Sequence, residues 1–174
     1  MTLSPPLPAT TPPRPPIRTL RALLVAAALA ATAGDVSAQY RFGVSFGGAS
    51  TVAVLVEHRW AHQGLEVQAG TWQFRDLSLS VSARQYVGSY RVEPFVGVGL
   101  WGIVARAEEG TGYGLIARIP TGLSWDIGSR HAVSMNIYLN RALALKRPDP
   151  EDRRPPRTTL IPLPELSYRF RSGG

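Results

Sequence analysis

The chain contains no cysteine among its 174 residues. Disulfide bonds, thiol nucleophiles and cysteine-based zinc sites are therefore excluded. A membrane-spanning helix is missing as well, because the apolar run of residues 23–31 is too short to cross a bilayer. No segment beyond residue 38 has the periodicity of a helix. The remaining residues suffice for one modest domain, which we expect to be built from strands.

Acidic residues are fewer than basic ones, 12 against 19, and the formal net charge is +7. Such a balance can indicate a nucleic acid or an anionic surface as partner. The basic residues are interleaved with acidic ones along the chain, except in one loop. There is no basic helix and no basic stripe interleaved with aromatic residues, so we expect no nucleic-acid partner.

The first 38 residues have the order of a Sec signal peptide. Arg14, Arg18 and Arg21 precede the apolar run, and small residues at positions 36–38 follow it. We therefore predict a cleavable signal peptide over residues 1–38. An amphipathic or buried N-terminal helix is the weaker alternative, since the segment has no polar face. Its proline-rich beginning is either an unusually long n-region or lies upstream of the true start codon.

We predict cleavage before Gln39, because Val36 and Ala38 place small residues at positions −3 and −1 of that bond. The intact mass and the N-terminal sequence of the mature protein test this. Use of the second possible site, residues 31–33, would move the start upstream. A mature protein that keeps residues 1–38 would contradict the signal peptide.

From Gln39 onward, apolar and polar residues alternate as they do in strands. In the clearest segment Leu77, Leu79 and Val81 alternate with three serines. Eight candidate strands result, at about 39–46, 51–60, 65–74, 77–87, 92–105, 113–126, 131–145 and 158–170. A tilted strand needs about 9–11 residues to cross a bilayer, so these lengths fit a membrane barrel.

Glycine indicates which face of the strands is inside. Six glycines share the parity of the charged residues, and only Gly102 has the apolar parity; the six are Gly43, Gly70, Gly97, Gly99, Gly114 and Gly122. The interior of an eight-stranded barrel is narrow and requires very small side chains among large ones. The glycine face is therefore expected inside, with the apolar face outside in hydrocarbon. A secreted soluble, lipocalin-like barrel with its valines and leucines inside is the alternative.

This orientation places many charges in the barrel interior. They are Arg41, Glu57, Arg59, Glu66, Arg84, Glu93, Arg118, Asp126, Glu165 and Arg169. We expect opposite charges among them to pair, since an unpaired buried charge costs several kcal/mol.

Some residues depart from the alternation. Leu55 takes the polar parity, and Trp72 and Phe74 do the same at the end of the third strand, where a bulge or an interior aromatic is needed. Phe95 and Trp101 take the polar parity in the fifth strand, where we expect packing against glycines. Three prolines, Pro120, Pro162 and Pro164, lie inside predicted strands, where each removes a ladder donor.

Residues 94–101 resemble the central strand of small outer-membrane barrels of the OmpA-like type. Residues 160–170 resemble the C-terminal assembly signal of that family, which alternates apolar residues and ends in an aromatic, here Phe170 with Tyr168 two positions before it. The resemblance implies insertion by the outer-membrane assembly machinery. In the family the aromatic is usually terminal, whereas residues 171–174 follow it here as a short tail.

Enzymes of this architecture are lipid A deacylases and palmitoyltransferases with histidine-based sites. His58 follows Glu57 on one strand, so the two side chains face opposite sides. His131 and Ser134 are likewise on opposite faces, and His62 falls in a turn. The deacylase type has a histidine and a serine two apart, and this chain has no such pair. We expect no catalytic residues, no metal and no cofactor.

The connector of residues 146–157 is rich in proline and charge. An eight-stranded meander with periplasmic termini places it on the cell surface. The simpler interpretation is that this connector is a solvated tip. The alternative is that it contacts lipopolysaccharide phosphates or a surface partner. Residues 107–112 would form a second surface loop.

Together these features predict an all-β protein: an eight-stranded antiparallel up-and-down transmembrane β-barrel over residues 39–170. We expect a non-enzymatic, monomeric protein of a Gram-negative outer membrane, with a structural or surface-interaction role in the cell envelope. Its expected partners are outer-membrane lipid, lipopolysaccharide and the assembly machinery. A lipid A-modifying enzyme and the soluble barrel remain the alternatives.

Overall fold

The described part of the chain forms eight strands that close into a barrel. The computed structural model describes residues 39–88, 91–108, 110–148 and 159–172. The strands are β1 Gln39–Gly47, β2 Ser50–Trp60, β3 Gln63–Thr71, β4 Asp76–Tyr86, β5 Val92–Ala107, β6 Gly110–Asp126, β7 His131–Lys146 and β8 Ile161–Ser172. These residues contain no helix long and apolar enough to cross a membrane.

Each strand pairs antiparallel with its neighbours in sequence, and β1 pairs with β8 to close the sheet. From Ser45 on β1, the inward-facing residues paired across β2, β3 and β4 lead to Ile103 on β5. In the other direction, across β8, β7 and β6, they lead to Glu93 on the same strand. Such a stagger tilts the strands relative to the barrel axis. The predicted all-β, eight-stranded antiparallel barrel is confirmed.

Several predicted boundaries were wrong. β3 ends at Thr71, so Trp72 and Phe74 lie in the connection to β4 as exposed residues, and neither a bulge nor an interior aromatic is needed. β5 and β6 extend towards each other as far as the Ala107–Gly110 pair, so the predicted loop over residues 107–112 is mostly strand. β8 begins at Ile161 and ends at Ser172.

The β1–β2 turn requires glycine. Gly47 and Gly48 both have a positive φ, of 86° and 70°, which side chains disfavour. The turn also lies against β8, because the Gly48 N–H donates to the Pro164 carbonyl at 2.8 Å. A side chain at Gly48 would meet that of Glu165. The β1–β2 turn therefore lies against the junction of β1 and β8, where the barrel closes.

The two faces of the sheet have opposite character. Apolar side chains are exposed on all eight strands, for example Phe42, Val54, Val67, Leu79, Val98, Ile119, Ile137 and Leu166. Serine, glutamate and arginine side chains are buried on the inside. Leu55, the exception in β2, is also buried inside. The barrel is thus apolar outside and polar inside.

Near the end of the barrel opposite the described N-terminus, the interior becomes apolar. Trp101, Ile116 and Ala49 are buried against one another, with Ile103 and Leu163 packed beside them. The Trp101 ring nitrogen donates to Ser78 Oγ at 2.7 Å. Trp101 is thus an interior aromatic anchored by a hydrogen bond.

The prolines are accommodated at weak points of the hydrogen-bond ladder. Pro120 in β6 interrupts the pairing with β5, which resumes on either side at Val96–Thr121 and Gly99–Arg118. The buried Pro120 ring packs over Gly97. Pro162 and Pro164 lie beyond Glu165, the last β8 residue paired with β1.

Glycine at position 97 is required by close packing. A Cβ added there would lie too close to the Ala83 carbonyl oxygen and 3.0 Å from the Pro120 ring. We predict that Gly97→Leu lowers the free energy of unfolding by about 3 kcal/mol or more, or prevents folding, because overpacking displaces backbone.

Gly102→Leu on the same strand is the matched control, since a Cβ there meets only the Leu79 carbonyl oxygen, at 3.9 Å. Urea unfolding of both variants in detergent provides the measurement. Equal losses for Gly97→Leu and Gly102→Leu would contradict the assignment of inward and outward faces.

Candidate functional site in the barrel interior

The candidate site is a network of buried charges halfway along the barrel, and Glu66 on β3 is its centre. Arg84 on the neighbouring β4 donates to Glu66 Oε1. Arg169 on β8 reaches across the interior, and its Nη2 lies 2.6 Å from Glu66 Oε2. Both arginines and Glu66 are fully buried. One carboxylate therefore joins both sides of the barrel.

Glu57 on β2 provides a second carboxylate for the same arginine. Arg169 Nε lies 3.5 Å from Glu57 Oε2, and the Tyr86 hydroxyl donates to Glu57 Oε1. Arg169 also donates to Ser134 Oγ. The guanidinium of Arg169 is thus held by groups from β2, β3 and β7, which fixes it in the middle of the barrel.

A third carboxylate, Glu165, is held by neutral donors. Asn136 Nδ2 donates to its Oε1 at 2.7 Å and the Tyr138 hydroxyl at 3.0 Å. Gln68 Nε2 lies 3.1 Å from both Glu165 oxygens. The Tyr138 hydroxyl also accepts from Arg84 at 2.7 Å. Tyr138 therefore couples Glu165 to the ion pairs around Glu66.

Arg118 differs from the other central arginines. Among the described side chains it makes no ion pair. Its Nη1 donates to Ser80 Oγ at 2.6 Å, and its guanidinium lies 3.6 Å from the centroid of the Tyr138 ring. Aromatic faces stabilise a guanidinium by cation–π attraction, which increases on desolvation. The Tyr138 ring thus provides an electrostatic contact for Arg118, as the carboxylates do for Arg84 and Arg169.

Three further ion pairs lie towards the end of the barrel that contains the N-terminus of β1. Arg59 Nη2 lies 2.7 Å from Glu93 Oε2, and its guanidinium is 4.0 Å from the Tyr86 ring centroid. At the rim, Asp126 is 3.8 Å from Arg41 and 3.3 Å from Arg171. The charges thus follow one another from the centre to this rim.

All predicted interior charges point into the barrel. Arg41, Glu57, Arg59, Glu66, Arg84, Glu93, Arg118, Glu165 and Arg169 are buried, and Asp126 lies half-buried at the rim. The sequence reasoning did not single out the neutral partners Gln68, Tyr86, Asn136 and Tyr138. Their parity on β3, β4 and β7 was the available signal, because it is that of the charges.

The interior aromatics pack against arginines as well as small residues. The Phe95 ring lies beside the Tyr86 ring, with 5.4 Å between their centroids. The Arg84 guanidinium lies 4.8 Å from the centroid of the Phe95 ring. Phe95 also pairs with Gly122 on β6. The expected packing against glycine was therefore only part of the arrangement.

No histidine of the described residues joins this network. His58 faces outward between the rings of Tyr40 and Trp60, at centroid distances of 4.7 and 5.3 Å. His131 faces outward, and its Nδ1 lies 2.6 Å from the Tyr168 hydroxyl. His62 is exposed in the β2–β3 turn. The described residues hold no cluster of three metal-ligating side chains.

The two residues predicted as an assembly signal lie on the outside of β8. Tyr168 and Phe170 are exposed and flank the His131 ring, at centroid distances of 5.9 and 5.5 Å. Their recognition during assembly stays a prediction. The predicted signal peptide and residues 149–157 of the surface connector lie outside the described residues.

The described groups of the interior network bond to one another. Its carboxylates are held by arginines, tyrosines and amides, so each charged group has fixed partners. Eight strands enclose an interior just wide enough for side chains, and here those side chains are large and interlocked. In the described part of the barrel the network joins opposite walls. We therefore expect no continuous aqueous channel there.

Similarity to known proteins is found at the level of structure. No protein-family model and no curated protein matches the sequence. Among solved structures, Neisserial surface protein A (NspA) is similar with a TM-score of 0.45 at 12% sequence identity, over 77% of this chain and 94% of that one.

Removal of the central carboxylate should be costly. We predict that Glu66→Gln lowers the free energy of unfolding by about 3–5 kcal/mol, because it leaves Arg84 and Arg169 buried without their shared counter-ion. Urea unfolding in detergent, followed by tryptophan fluorescence, measures the loss.

Arg118→Met is the informative comparison. It removes a buried charge that has no ion pair among the described side chains, and an apolar replacement of similar size is often neutral. We expect a loss of less than about 1.5 kcal/mol. If Arg118→Met proves as destabilising as Glu66→Gln, ion pairing is not what holds the interior.

Proposed function

We propose that this chain is an integral outer-membrane β-barrel protein with a non-enzymatic, structural or surface-interaction role in the cell envelope. The observation that carries this proposal is the inverted polarity of the barrel, with charges inside and apolar side chains outside. Soluble proteins rarely expose contiguous apolar patches larger than about a few hundred Å². Here exposed apolar side chains occur on all eight strands.

The height of the apolar surface supports a bilayer as its surroundings. On β6 the outward-facing side chains extend from Tyr113 to Trp125, with Leu115, Ile119 and Leu123 between them. At about 3.3 Å per residue and a strand tilt of about 40°, this segment rises by about 30 Å along the barrel axis. The hydrocarbon core of a bilayer is about 30 Å thick.

Aromatic side chains mark one edge of this surface. Outward-facing rings surround the end of the barrel at which β1 begins, namely Tyr40, His58, Trp60, Trp125, His131, Tyr168 and Phe170. Such girdles are typical of the levels where membrane barrels meet lipid headgroups. We infer that this end lies at the periplasmic interface, as the predicted export route requires.

A soluble, lipocalin-like barrel would need the opposite arrangement. Its interior would have to be apolar to bind an apolar ligand, whereas this interior contains the network around Glu66 and Arg169. Its exterior would expose the apolar belt to water. Neither feature favours that alternative.

The non-enzymatic part of the proposal rests on the histidines and carboxylates. The described histidines point outward or lie in a turn, and none of them bonds to a carboxylate. The buried carboxylates are all held by structural partners. A lipid A-modifying activity therefore has no candidate residue among those that the structure describes. We propose outer-membrane lipid, lipopolysaccharide and the assembly machinery as partners of a monomer.

Gel electrophoresis of unboiled and boiled membrane fractions under denaturing conditions tests the proposed outer-membrane location. We predict that the unboiled protein migrates as a folded barrel and shifts on heating, because closed membrane barrels stay hydrogen-bonded in detergent. Glu66→Gln, which weakens the same barrel from inside, should shift at a lower temperature. Recovery of the protein in the soluble periplasmic fraction, without detergent, would overturn the proposal.

The lipid A mass profile tests the non-enzymatic role. We predict identical profiles with and without expression of the protein. Loss or gain of an acyl chain that depends on expression would instead identify an envelope enzyme.

A further inference from the structure

A groove of about 700 Å³ lies on the barrel at the rim between β4 and β5, at the end opposite the aromatic girdle. Leu77 and Val104 pair across the two strands and form its apolar floor. They face outward and are 64% and 45% exposed. Arg75 and Arg106 border the same groove.

The two arginines are held next to each other by the backbone. The Arg106 N–H donates to the Arg75 carbonyl oxygen at 3.2 Å. Arg106 follows Val104 by two positions on β5, so both side chains start from the same face of the strand. Two cations therefore lie directly beyond an apolar floor.

The carboxylate that follows Arg75 in the chain accepts hydrogen bonds from neutral groups. Asp76 accepts from the backbone N–H groups of Trp72 and Gln73, at 2.9 and 3.0 Å, and from Thr71 Oγ1 at 3.1 Å. Among the described residues, neither Arg75 nor Arg106 makes an ion pair. Asp76 and Glu108 both line the groove, so two acids oppose the two cations there, and Glu108 is the one that these hydrogen bonds do not hold.

Phe74 adds an apolar contact at the same rim. Its side chain is 86% exposed, and its φ of 60° is unusual for a bulky residue. The Phe74 N–H donates to Thr71 Oγ1 at 2.8 Å, which helps to hold this conformation. An exposed aromatic ring beside two cations suits the headgroup level of a bilayer.

We propose that this groove binds the phosphate-bearing headgroup of a membrane lipid. The phosphate lies between Arg75 and Arg106, and an acyl chain runs down over Val104 and Leu77. The inference rests on the proposed membrane location and adds a specific lipid site to it. The two guanidinium groups and the adjoining apolar floor both match such a lipid, because guanidinium groups bind phosphate and the floor continues into the outer apolar surface.

Lipid binding to the protein purified in a nonionic detergent tests the proposal. Native mass spectrometry gives the apparent Kd for phosphatidylglycerol and for a galactosyl diacylglycerol with the same acyl chains. We expect the phosphate-bearing lipid to bind more tightly. A cation near a membrane surface contributes about fivefold in affinity, so R75Q/R106Q should weaken phosphatidylglycerol binding about 25-fold and leave the galactolipid unchanged.

Two controls make the result specific. R91Q/R130Q removes two exposed arginines from turns at the opposite end of the barrel and should leave binding unchanged. Glu108→Gln removes one of the two opposing acids and should tighten binding up to about fivefold. Inorganic phosphate at constant ionic strength should not compete, because it lacks the acyl chain.

Equal loss in R91Q/R130Q, equal binding of the galactolipid, or full competition by inorganic phosphate would each overturn the lipid site. The same samples are run unboiled and boiled on a gel. A protein that shifts on heating yet shows no lipid preference contradicts this inference alone. A protein that needs no detergent contradicts the proposed membrane location and this inference together.

Discussion

The narrow interior of a closed eight-stranded sheet is the constraint on which the rest of the structure depends. Half of the side chains in such a barrel must point into a space that admits little water, so each polar group there needs a protein partner. Here Glu66 meets that need for Arg84 and Arg169 at once, which fastens β3, β4 and β8 to one another. One carboxylate thus links three strands inside the barrel.

The same constraint explains where small residues and aromatics occur. Gly97 gives room to the Pro120 ring, and the Arg118 guanidinium lies against Tyr138 where no carboxylate is paired with it. Large rings, long arginines and glycines alternate so that volumes match across the interior. With its polar groups turned inward, the chain presents apolar side chains on its outside, and this inversion underlies the proposed membrane role.

Exposed aromatic rings occur at both ends of the outer surface. The end at which β1 begins carries rings such as Tyr40, Trp60 and Phe170, whereas the opposite rim carries Arg75 and Arg106 beside Phe74. Aromatic rings suit any headgroup layer, but a pair of arginines above an apolar floor selects phosphate. In a bilayer, the proposed site would give the barrel a preferred lipid at that rim.

The sequence by itself determined the strands, their alternation and the face that turns inward, because a period of two and the parity of glycine are local properties of the chain. It also indicated which charges would be inside. The tertiary structure alone decided which of them meet: Glu66 and Arg169 are far apart in sequence, and only closure between β1 and β8 brings them within 2.6 Å. The end of β3 at Thr71 was predicted wrongly, since hydrogen bonds that the Asp76 carboxylate accepts, rather than periodicity, end the strand there.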